Sequence, residues 1–253
     1  MSRLGGRVAI VTGAARGIGR ATAERFAAEG AAVLLADVAA EEGAEAAAAI
    51  RAGGARAEFV ATDVTREADV AGMIAAAVAR FGKLDILVNN AGVGRFVPFE
   101  RLEPAEWDRL LAVNLRAVYL GCRHALAALR RNGGGAIVNL ASQSGLQGQA
   151  MNEAYCAAKA GVILLTRSLA RELAPEGIRV NCLCPGGTDT AMLREFVATA
   201  PAPEAGPAAL ASRSPMGRLA RPDEIAAAAL FLVSDEASYV TGVALPVDGG
   251  ASA

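Results

Sequence analysis

The sequence is poor in histidine, on which most metal centres and hydrolase triads depend. His124 is the single histidine in 253 residues, whereas a Ser-His-Asp triad needs an imidazole beside its serine and metal sites commonly use several. His124 lies in the helical run LGCRHALAALRRN, away from every candidate serine nucleophile, so we interpret it as a structural residue. The composition therefore disfavours a triad hydrolase and a His-rich metal site, and we expect no metal.

Long runs of one residue class are missing as well. Hydrophobic residues make up 53% of the chain, yet apolar runs such as IAAAALFLV are far shorter than the ~20 residues that cross a bilayer. The net charge is -1, and no cluster of Lys and Arg suggests a nucleic acid. The first strand-like run starts at Arg7, which leaves no space for a cleavable leader. We expect a cytoplasmic protein that binds a small molecule, with neither a nucleic acid nor a membrane as partner.

Cysteine is scarce too, and the four present are Cys122, Cys156, Cys182 and Cys184. Two of them form a CxC pair in a strand-like run, and a cytosolic enzyme keeps such thiols reduced. We interpret all four as core residues.

Strand-like and helical runs alternate along the whole chain. The strand-like runs are RVAIVTG, AAVLLAD, ARAEFVATDV, LDILVNN, GGAIVNLAS, RVNCLCP and GVALPVDGG. This alternation is typical of right-handed βαβ units in a parallel sheet. We predict an α/β fold: a single doubly wound Rossmann domain over 1–253, with a seven-stranded parallel sheet flanked by helices. The aperiodic stretch at about 187–216 predicts a substrate lid.

A glycine turn follows the first strand. In GAARGIG, the glycines Gly13, Gly17 and Gly19 permit a tight turn and a close approach of backbone to a diphosphate. The helix that begins near Ile18 offers unpaired N–H groups and its positive dipole end. No GK[ST] follows the glycines, which argues against a nucleoside-triphosphate P-loop. The turn therefore predicts a dinucleotide site.

Two charged residues bear on the choice between NAD and NADP. Asp37 ends the second strand-like run, where a carboxylate accepts from the adenosine ribose hydroxyls and repels a 2′-phosphate. Arg16, inside the glycine turn, is placed to meet such a phosphate. We favour NAD as the cofactor, with NADP as the open alternative.

The ends of later strands offer further cofactor contacts. Asp63 and the backbone of Val64 are candidates for the adenine amino group, and the backbone of a cofactor can pass close to Asn90, Ala91 and Gly92. A helix N-cap for Asp63 and a plain turn for NNAG are the structural alternatives.

Tyr155 and Lys159 stand four residues apart in an alanine-rich run, so on a helix they share one face. An ammonium within a few Å lowers the pKa of a tyrosine by roughly one to three units and makes it a usable acid or base. Ser142 ends the strand-like run GGAIVNLAS, and a loop can fold its hydroxyl back beside the phenol to bind a substrate oxygen. These side chains predict a proton relay with an oxygen clamp.

Two polar features remain. Asn114 lies inside the apolar run LLAVNLRAVYL of a long helix that starts at Pro104, where a buried amide must find partners; it can hold a water or bend the helix. The candidate substrate wall combines Ser142 with two kinds of residue. Gln143 and Gln149 have amides that suit hydroxyl groups, whereas Phe96 and Met192 suit a ring or acyl chain or simply pack.

With these motifs assembled, the sequence resembles the short-chain dehydrogenase/reductase family over essentially its whole length. TGAARGIG matches the family's TGxxxGxG turn, and NNAG, YxxxK and PG follow in the family's order. The resemblance implies that Tyr155 is the catalytic acid/base, that Ser142 positions the reacting oxygen and that Asn114 holds a water of the proton relay. Lys159 would lower the pKa of Tyr155 and bind the nicotinamide ribose.

The resemblance also assigns the remaining cofactor positions. Asp37 corresponds to the NAD-selective acid, Asp63, Val64 and Asn90 to adenine and ribose contacts, and Thr190 to a threonine that bonds the carboxamide. That group would lie by Pro185, Gly186 and Thr188, but Gly187 and Thr188 stand where the family often has a bulky pair. Members commonly form tetramers through two long helices and the C-terminal strand, so a homotetramer is expected.

These observations favour an NAD(H)-dependent oxidoreductase that interconverts a secondary alcohol and a ketone. A nearer alternative, motivated by Arg16, is an NADPH-dependent reductase of 3-oxoacyl thioesters on acyl carrier protein. Arg130 and Arg131 could dock the acidic carrier, but the negative charge of Glu176 opposes this docking. A non-catalytic dinucleotide-sensing protein is the alternative from another class.

Overall fold

A parallel sheet forms the centre of the protein, as the computed structural model shows for residues 2–198, 206, 211–212 and 214–253, with Phe196 described by its backbone alone. The strands are β1 (Val8–Thr12), β2 (Ala32–Asp37), β3 (Ala57–Ala61), β4 (Ile86–Asn89), β5 (Gly135–Leu140), β6 (Ile178–Pro185) and β7 (Ala244–Val247). All seven are parallel, in the order β3-β2-β1-β4-β5-β6-β7. The predicted seven-stranded sheet is confirmed.

Helices connect the strands. They are α1 (Gly17–Ala28), α2 (Ala40–Ala52), α3 (Glu67–Phe81), α4 (Pro104–Leu111), α5 (Ala117–Arg131), α6 (Glu153–Leu173), α7 (Ala191–Ala198) and α8 (Pro222–Val233). Within the described ranges, no helix combines the length and apolarity needed to cross a membrane. Helix α7 falls inside the predicted lid at 187–216, of which residues 199–205, 207–210 and 213 lie outside the described part of the chain.

Apolar side chains cover both faces of the sheet, which explains why the strands read as continuous apolar runs rather than alternating ones. One cluster includes Phe26 of α1 and Leu230 of α8, and the other includes Met73 of α3, Leu129 of α5 and Val162 of α6. The order of the strands reverses between β1 and β4, so the carboxyl ends of these two strands border a crevice. In open α/β sheets that crevice is where ligands bind.

The predicted long helix from Pro104 is interrupted at Asn114. Helix α4 passes into a π-helical turn over Ala112–Arg116, and α5 follows directly at Ala117 with helical backbone angles at both junctions. Such turns are rare and occur frequently at functional sites. The structure thus supports the expectation that a buried amide here deforms the helix.

Candidate active site

A cleft of about 560 Å³ lies at the carboxyl ends of the strands. The predicted catalytic and cofactor residues that line it are Gly13, Arg16, Gly17, Ile18, Asp37, Asp63, Val64, Asn90, Ala91, Gly92, Ser142, Tyr155, Lys159, Pro185, Gly186, Thr188 and Thr190. The predicted wall residues Gln143, Gln149 and Met192 line it as well. One cleft therefore brings together residues spread over most of the sequence.

The glycine turn fits a dinucleotide. Gly13 has a φ of 64°, and a Cβ there would lie 2.8 Å from the Cα of Ala91; a Cβ on Gly19 would overlap the carbonyl oxygen of Gly13. Gly19 thus closes the turn from behind and does not line the cleft. Arg16 is the N-cap of α1 and gives it no side-chain cap, so the first N–H groups of α1 are available to an anion. These features match the demands of a diphosphate.

Asn90 holds this turn in place. Its Nδ2 donates to the carbonyl oxygens of Thr12 (2.8 Å) and Gly13 (3.1 Å), and the backbone N–H groups of Asn90 and Ala91 donate to Thr12 Oγ1 (2.9 and 3.1 Å). The side-chain NH₂ group of Asn90 therefore already donates to two backbone carbonyl oxygens of the protein. The side chain shapes the glycine turn, and the cofactor contact expected of Asn90 stays a prediction.

Two carboxylates lie farther along the cleft. Asp37 accepts from the backbone N–H groups of Ala15 and Ala39, both at 3.0 Å, which fixes its carboxylate at the end of β2. Asp63 accepts from the hydroxyl (2.7 Å) and the backbone N–H (2.9 Å) of Thr65, and these bonds lower the pKa of Asp63. Asp63 therefore stabilises the turn after β3 in addition to bordering the cleft.

Arg16 reaches across the mouth of the cleft. Its Nη1 lies 3.2 Å from Oε1 of Glu195 on α7, and both side chains are largely exposed. Thr190 approaches from the same side, because a Cβ on Gly17 would lie 3.2 Å from its methyl group. The hydroxyl of Thr190 accepts from the N–H of Leu193 at 3.1 Å. Thr190 thus joins the start of α7 to the glycine turn, and its bond to a carboxamide stays a prediction.

Ser142 and Tyr155 are brought together as predicted. Ser142 directly follows Ala141 at the end of β5, and its Oγ accepts from the N–H of Ser144 at 3.1 Å. Tyr155 lies in the first turn of α6 and hydrogen-bonds to the Ser142 side chain. Burial raises the pKa of Tyr155 to about 12, and the bond to Ser142 opposes this shift only in part.

Lys159 lies one helical turn beyond Tyr155 and is 3% exposed. Its Nζ donates to the carbonyl oxygen of Leu140 at 2.7 Å and lies 5.5 Å from the centroid of the Tyr155 ring. Burial lowers the pKa of Lys159 to about 8. Burial penalises the charged forms of both groups, and the ammonium donates to Leu140. That Lys159 lowers the pKa of Tyr155 therefore stays a prediction.

Asn114 is fully buried beside this pair. Its Nδ2 donates to the carbonyl oxygens of Val93 and Leu110, both at 2.9 Å, and its Oδ1 accepts from the N–H of Val93 at 3.2 Å. A Cβ on Gly92 would lie 2.9 Å from this Oδ1 and 3.6 Å from Lys159 Nζ. Asn114 therefore fixes the backbone that separates it from Lys159. It does not line the cleft, and the predicted water remains a prediction.

The wall of the cleft differs from the expected one at several residues. Phe96 is buried and lies outside the lining, so the packing interpretation holds for it; the N–H of the adjacent Val97 donates to Met151 and ties this segment to the turn before α6. Arg109 and Arg218 line the cleft although neither was predicted. Their guanidinium groups are paired with Glu106 and Glu224, respectively. Nothing in their local sequence marks them, since tertiary packing alone brings them there.

Comparisons with known proteins agree with this site. Residues 13–252 match the sequence profile of a family described as enoyl-(acyl carrier protein) reductase. The chain is 50% identical to cis-4-hydroxycyclohexanecarboxylate dehydrogenase of Sinomonas cyclohexanicum, over 98% of this chain and 97% of that protein. It is 43% identical to 2,5-dichloro-2,5-cyclohexadiene-1,4-diol dehydrogenase of Sphingobium indicum, over 98% and 97%.

A solved structure extends the similarity to the whole fold. The crystal structure of 3-ketoacyl-(acyl-carrier-protein) reductase from Brucella melitensis, complexed with NADH, has a TM-score of 0.92 and 41% identity, covering 99% of this chain and 100% of that one. Fold, glycine turn and the Ser142–Tyr155–Lys159 arrangement all lead to the same assignment. The chain belongs to the short-chain dehydrogenase/reductase family, as an NAD(P)-linked oxidoreductase that acts on CH–OH groups.

Proposed function

We propose that this protein is an NAD(H)-dependent dehydrogenase that oxidises a secondary alcohol on a carbocyclic ring to the ketone. The observation that carries the proposal is the half-buried side chain of Tyr155, hydrogen-bonded to Ser142 on the wall of the cleft, with the buried Lys159 on the same face of α6. Two relatives that span the chain act, by their names, on alcohols of six-membered rings. Their names support the ring as the common element of the substrate.

The side chains divide the proton chemistry among them. The Ser142 hydroxyl holds the substrate oxygen, and Tyr155 removes the hydroxyl proton as general base. NAD held along the glycine turn and Asp37 would supply the hydride acceptor for the alcohol carbon. Lys159, whose pKa burial lowers to about 8, can exist in either protonation state near neutral pH and binds the nicotinamide ribose. Asn114, through its bonds to Val93, keeps Val93 and the preceding Gly92 in position beside Lys159.

The charges at the adenosine end support NAD over NADP. The Asp37 carboxylate is fixed by two backbone N–H groups and would repel a 2′-phosphate. Arg16, the cation that such a phosphate would need, is paired with Glu195. Hence the positive charge of Arg16, which favours NADP, is partly neutralised, whereas the negative charge of Asp37, which favours NAD, is held in the cleft.

The reductase alternative finds less support on the surface. Arg130, proposed as a docking residue for an acidic carrier protein, donates two hydrogen bonds to Glu176 at 2.5 and 2.8 Å. This pairing neutralises Arg130, one of the two arginines on which docking of an acidic carrier would depend. We therefore rank acyl carrier thioesters below ring alcohols as substrates.

We also propose a homotetramer in the cytoplasm. Tyr119 on α5 and Leu164 on α6 are 43% and 62% exposed, which supports an apolar contact between copies through these helices. Light scattering after size-exclusion chromatography should give a mass near four times 25.6 kDa. A mass equal to that of one chain would refute the tetramer.

Steady-state kinetics with both cofactors test the proposed reaction. The substrates are cyclohexanol, cyclopentanol and an acyclic secondary alcohol, each with NAD or NADP, followed by absorbance at 340 nm. We expect turnover of the ring alcohols, with kcat/KM at least tenfold higher for NAD than for NADP. Tight NAD binding without oxidation of any alcohol would favour the dinucleotide sensor instead.

A further inference from the structure

Gln143 carries a buried polar atom that the described residues leave unpaired. It follows Ser142 directly, opens the short 3₁₀ turn Gln143–Gly145 and lines the cleft. Its Oε1 is buried, and no donor among the described residues reaches it. An unpaired buried acceptor changes an equilibrium constant by about 5- to 150-fold, so a ligand that donates to this oxygen gains a corresponding advantage.

The oxygen lies where two segments of the cleft wall meet. A Cβ on Gly186 would lie 3.1 Å from Gln143 Oε1 and 2.8 Å from the Cα of Asp248, and both of these residues line the cleft. Gln143 itself belongs to the turn that presents Ser142. The acceptor is therefore one residue away from the side chain that holds the reacting oxygen.

A second amide on the same wall, that of Gln149, is bonded through its oxygen, and among the described residues no partner is seen for its nitrogen. The Oε1 of Gln149 accepts from Ser144 Oγ and from Asn152 Nδ2, both at 3.1 Å. Its Oε1 is thus occupied within the protein, which leaves the amide nitrogen as the end that can bind a ligand. The wall beside Ser142 combines an acceptor on Gln143 with a donor on Gln149.

We propose that Gln143 Oε1 accepts a hydrogen bond from a second hydroxyl group of the substrate, which makes cyclic diols the preferred substrate class. The inference rests on the proposed oxidation of ring alcohols at Ser142 and Tyr155. A hydroxyl group can donate to Oε1, whereas a carboxylate or a thioester has no proton to donate at neutral pH. A ring that bears a single hydroxyl leaves the oxygen unpaired. Gln143 is accordingly a specificity-determining residue.

The test compares kcat/KM for cyclohexanol, the 1,2-, 1,3- and 1,4-cyclohexanediols and 4-hydroxycyclohexanecarboxylate, all with NAD. For the wild-type enzyme we expect at least one diol to exceed cyclohexanol by about tenfold or more, because a site with a buried polar group rejects analogues that leave it unpaired. In Gln143→Leu the ratio of kcat/KM for the diol to kcat/KM for cyclohexanol should fall towards one. Gln143→Glu keeps an acceptor oxygen and should keep the ratio above one.

Gln147→Leu is the matched control, because Gln147 is exposed and lies outside the lining. It should retain the wild-type ratio. The Kd for NADH, measured by fluorescence in each variant, separates a role towards the substrate from one towards the cofactor. We expect Gln143→Leu to bind NADH within about threefold of wild type.

Four outcomes would overturn the inference. Equal kcat/KM for cyclohexanol and every diol refutes it while leaving the proposed function intact, and this wild-type measurement does not depend on any variant folding. A higher kcat/KM for the carboxylate than for every diol refutes it as well. Weaker NADH binding by Gln143→Leu with an unchanged diol ratio assigns the oxygen to the cofactor. Lack of turnover with every alcohol refutes the proposed function and this inference with it.

Discussion

The guanidinium group of Arg16 and the carboxylate of Glu195 lie 3.2 Å apart and join the glycine turn to α7. Exposed ion pairs of this kind contribute about 0–1 kcal/mol. Because the pair engages the one cation of the glycine turn, we expect it to influence the choice between NAD and NADP.

Glu195→Gln should therefore release Arg16 to interact with a 2′-phosphate. We expect kcat/KM with NADP to rise about two- to fivefold, with little change for NAD. Asp189→Asn is the matched control, because Asp189 pairs with Arg194 at 2.8 Å and leaves the glycine turn untouched. If the ratio of kcat/KM with NAD to kcat/KM with NADP is unchanged in Glu195→Gln, the ion pair has no part in cofactor selectivity.

Tyr155→Phe removes the proposed general base while keeping the ring. Turnover of a ring alcohol should fall by about 10²- to 10⁴-fold, and NADH binding should change little. Tyr119→Phe serves as the control, because Tyr119 is exposed on α5, where its hydroxyl accepts from Arg123 at 2.8 Å. Wild-type turnover in Tyr155→Phe would exclude the phenol from the reaction.

The pH dependence should differ between the two directions of the reaction. Alcohol oxidation needs the phenolate of Tyr155, whose pKa burial raises to about 12, so kcat/KM for oxidation should rise steadily from about pH 7 to pH 10. Ketone reduction needs the phenol and should not rise over that range. Enzyme held at each pH and assayed at pH 8 controls for denaturation. Oxidation that is fastest below pH 7 would contradict the assignment.

Lys159→Met should stabilise the protein while abolishing its activity. Burial lowers the pKa of Lys159 from its usual 10.5 to about 8, so the protonated lysine destabilises the native state at neutral pH. Allowing for the lost bond to Leu140, the free energy of unfolding should rise by about 1–2 kcal/mol at pH 7.

The sign of the pH effect on this difference follows from proton binding. Between about pH 8 and pH 10.5, Lys159 keeps its proton in the unfolded wild-type chain but has released it in the native state. The free energy of unfolding of the wild-type protein therefore rises with pH over this range. The stability advantage of Lys159→Met should shrink across this range in urea titrations. An advantage that grows with pH would contradict the direction of the pKa shift.

Two helical glycines form a matched pair for the dinucleotide turn. Gly19→Ala places a Cβ against the carbonyl oxygen of Gly13 and should weaken NAD binding at least tenfold and lower stability by about 1–3 kcal/mol. Gly72→Ala in α3 meets no atom within 4 Å and should raise stability by about 0.5–1 kcal/mol with unchanged kinetics. Isothermal titration and thermal unfolding measure both effects. Normal NAD affinity in Gly19→Ala would show that the turn tolerates the extra atom.

Most of the fold could be predicted because local patterns express it directly. Strands buried on both faces, such as Val8–Thr12, read as unbroken apolar runs, and proline at the start of α8 marks that helix at Pro222. The four-residue spacing of Tyr155 and Lys159 placed them on one helix face. Ser142, at the end of its strand, was correctly expected beside the phenol.

The remainder depends on contacts between distant segments. The sequence pattern could not reveal that burial governs the pKa of Tyr155, because burial results from the packing of the whole domain. Nor could it show Arg109 and Arg218 in the cleft, or the pairing of Arg16 with Glu195. Asn90 illustrates the same limit: its motif indicated a ligand contact but could not show that its amide also bonds the glycine turn.

The π-helical turn at Asn114 holds one residue more than a regular α-helix would place there. We therefore expect deletion of Val113 to let α4 continue into α5 as a regular α-helix and to move the Asn114 amide away from Val93, to which it is bonded in the intact chain. The extra residue serves the site rather than the scaffold. The deletion variant should then keep the circular dichroism spectrum of the wild-type protein and lose its turnover, so that one residue of the π-helical turn separates folding from catalysis.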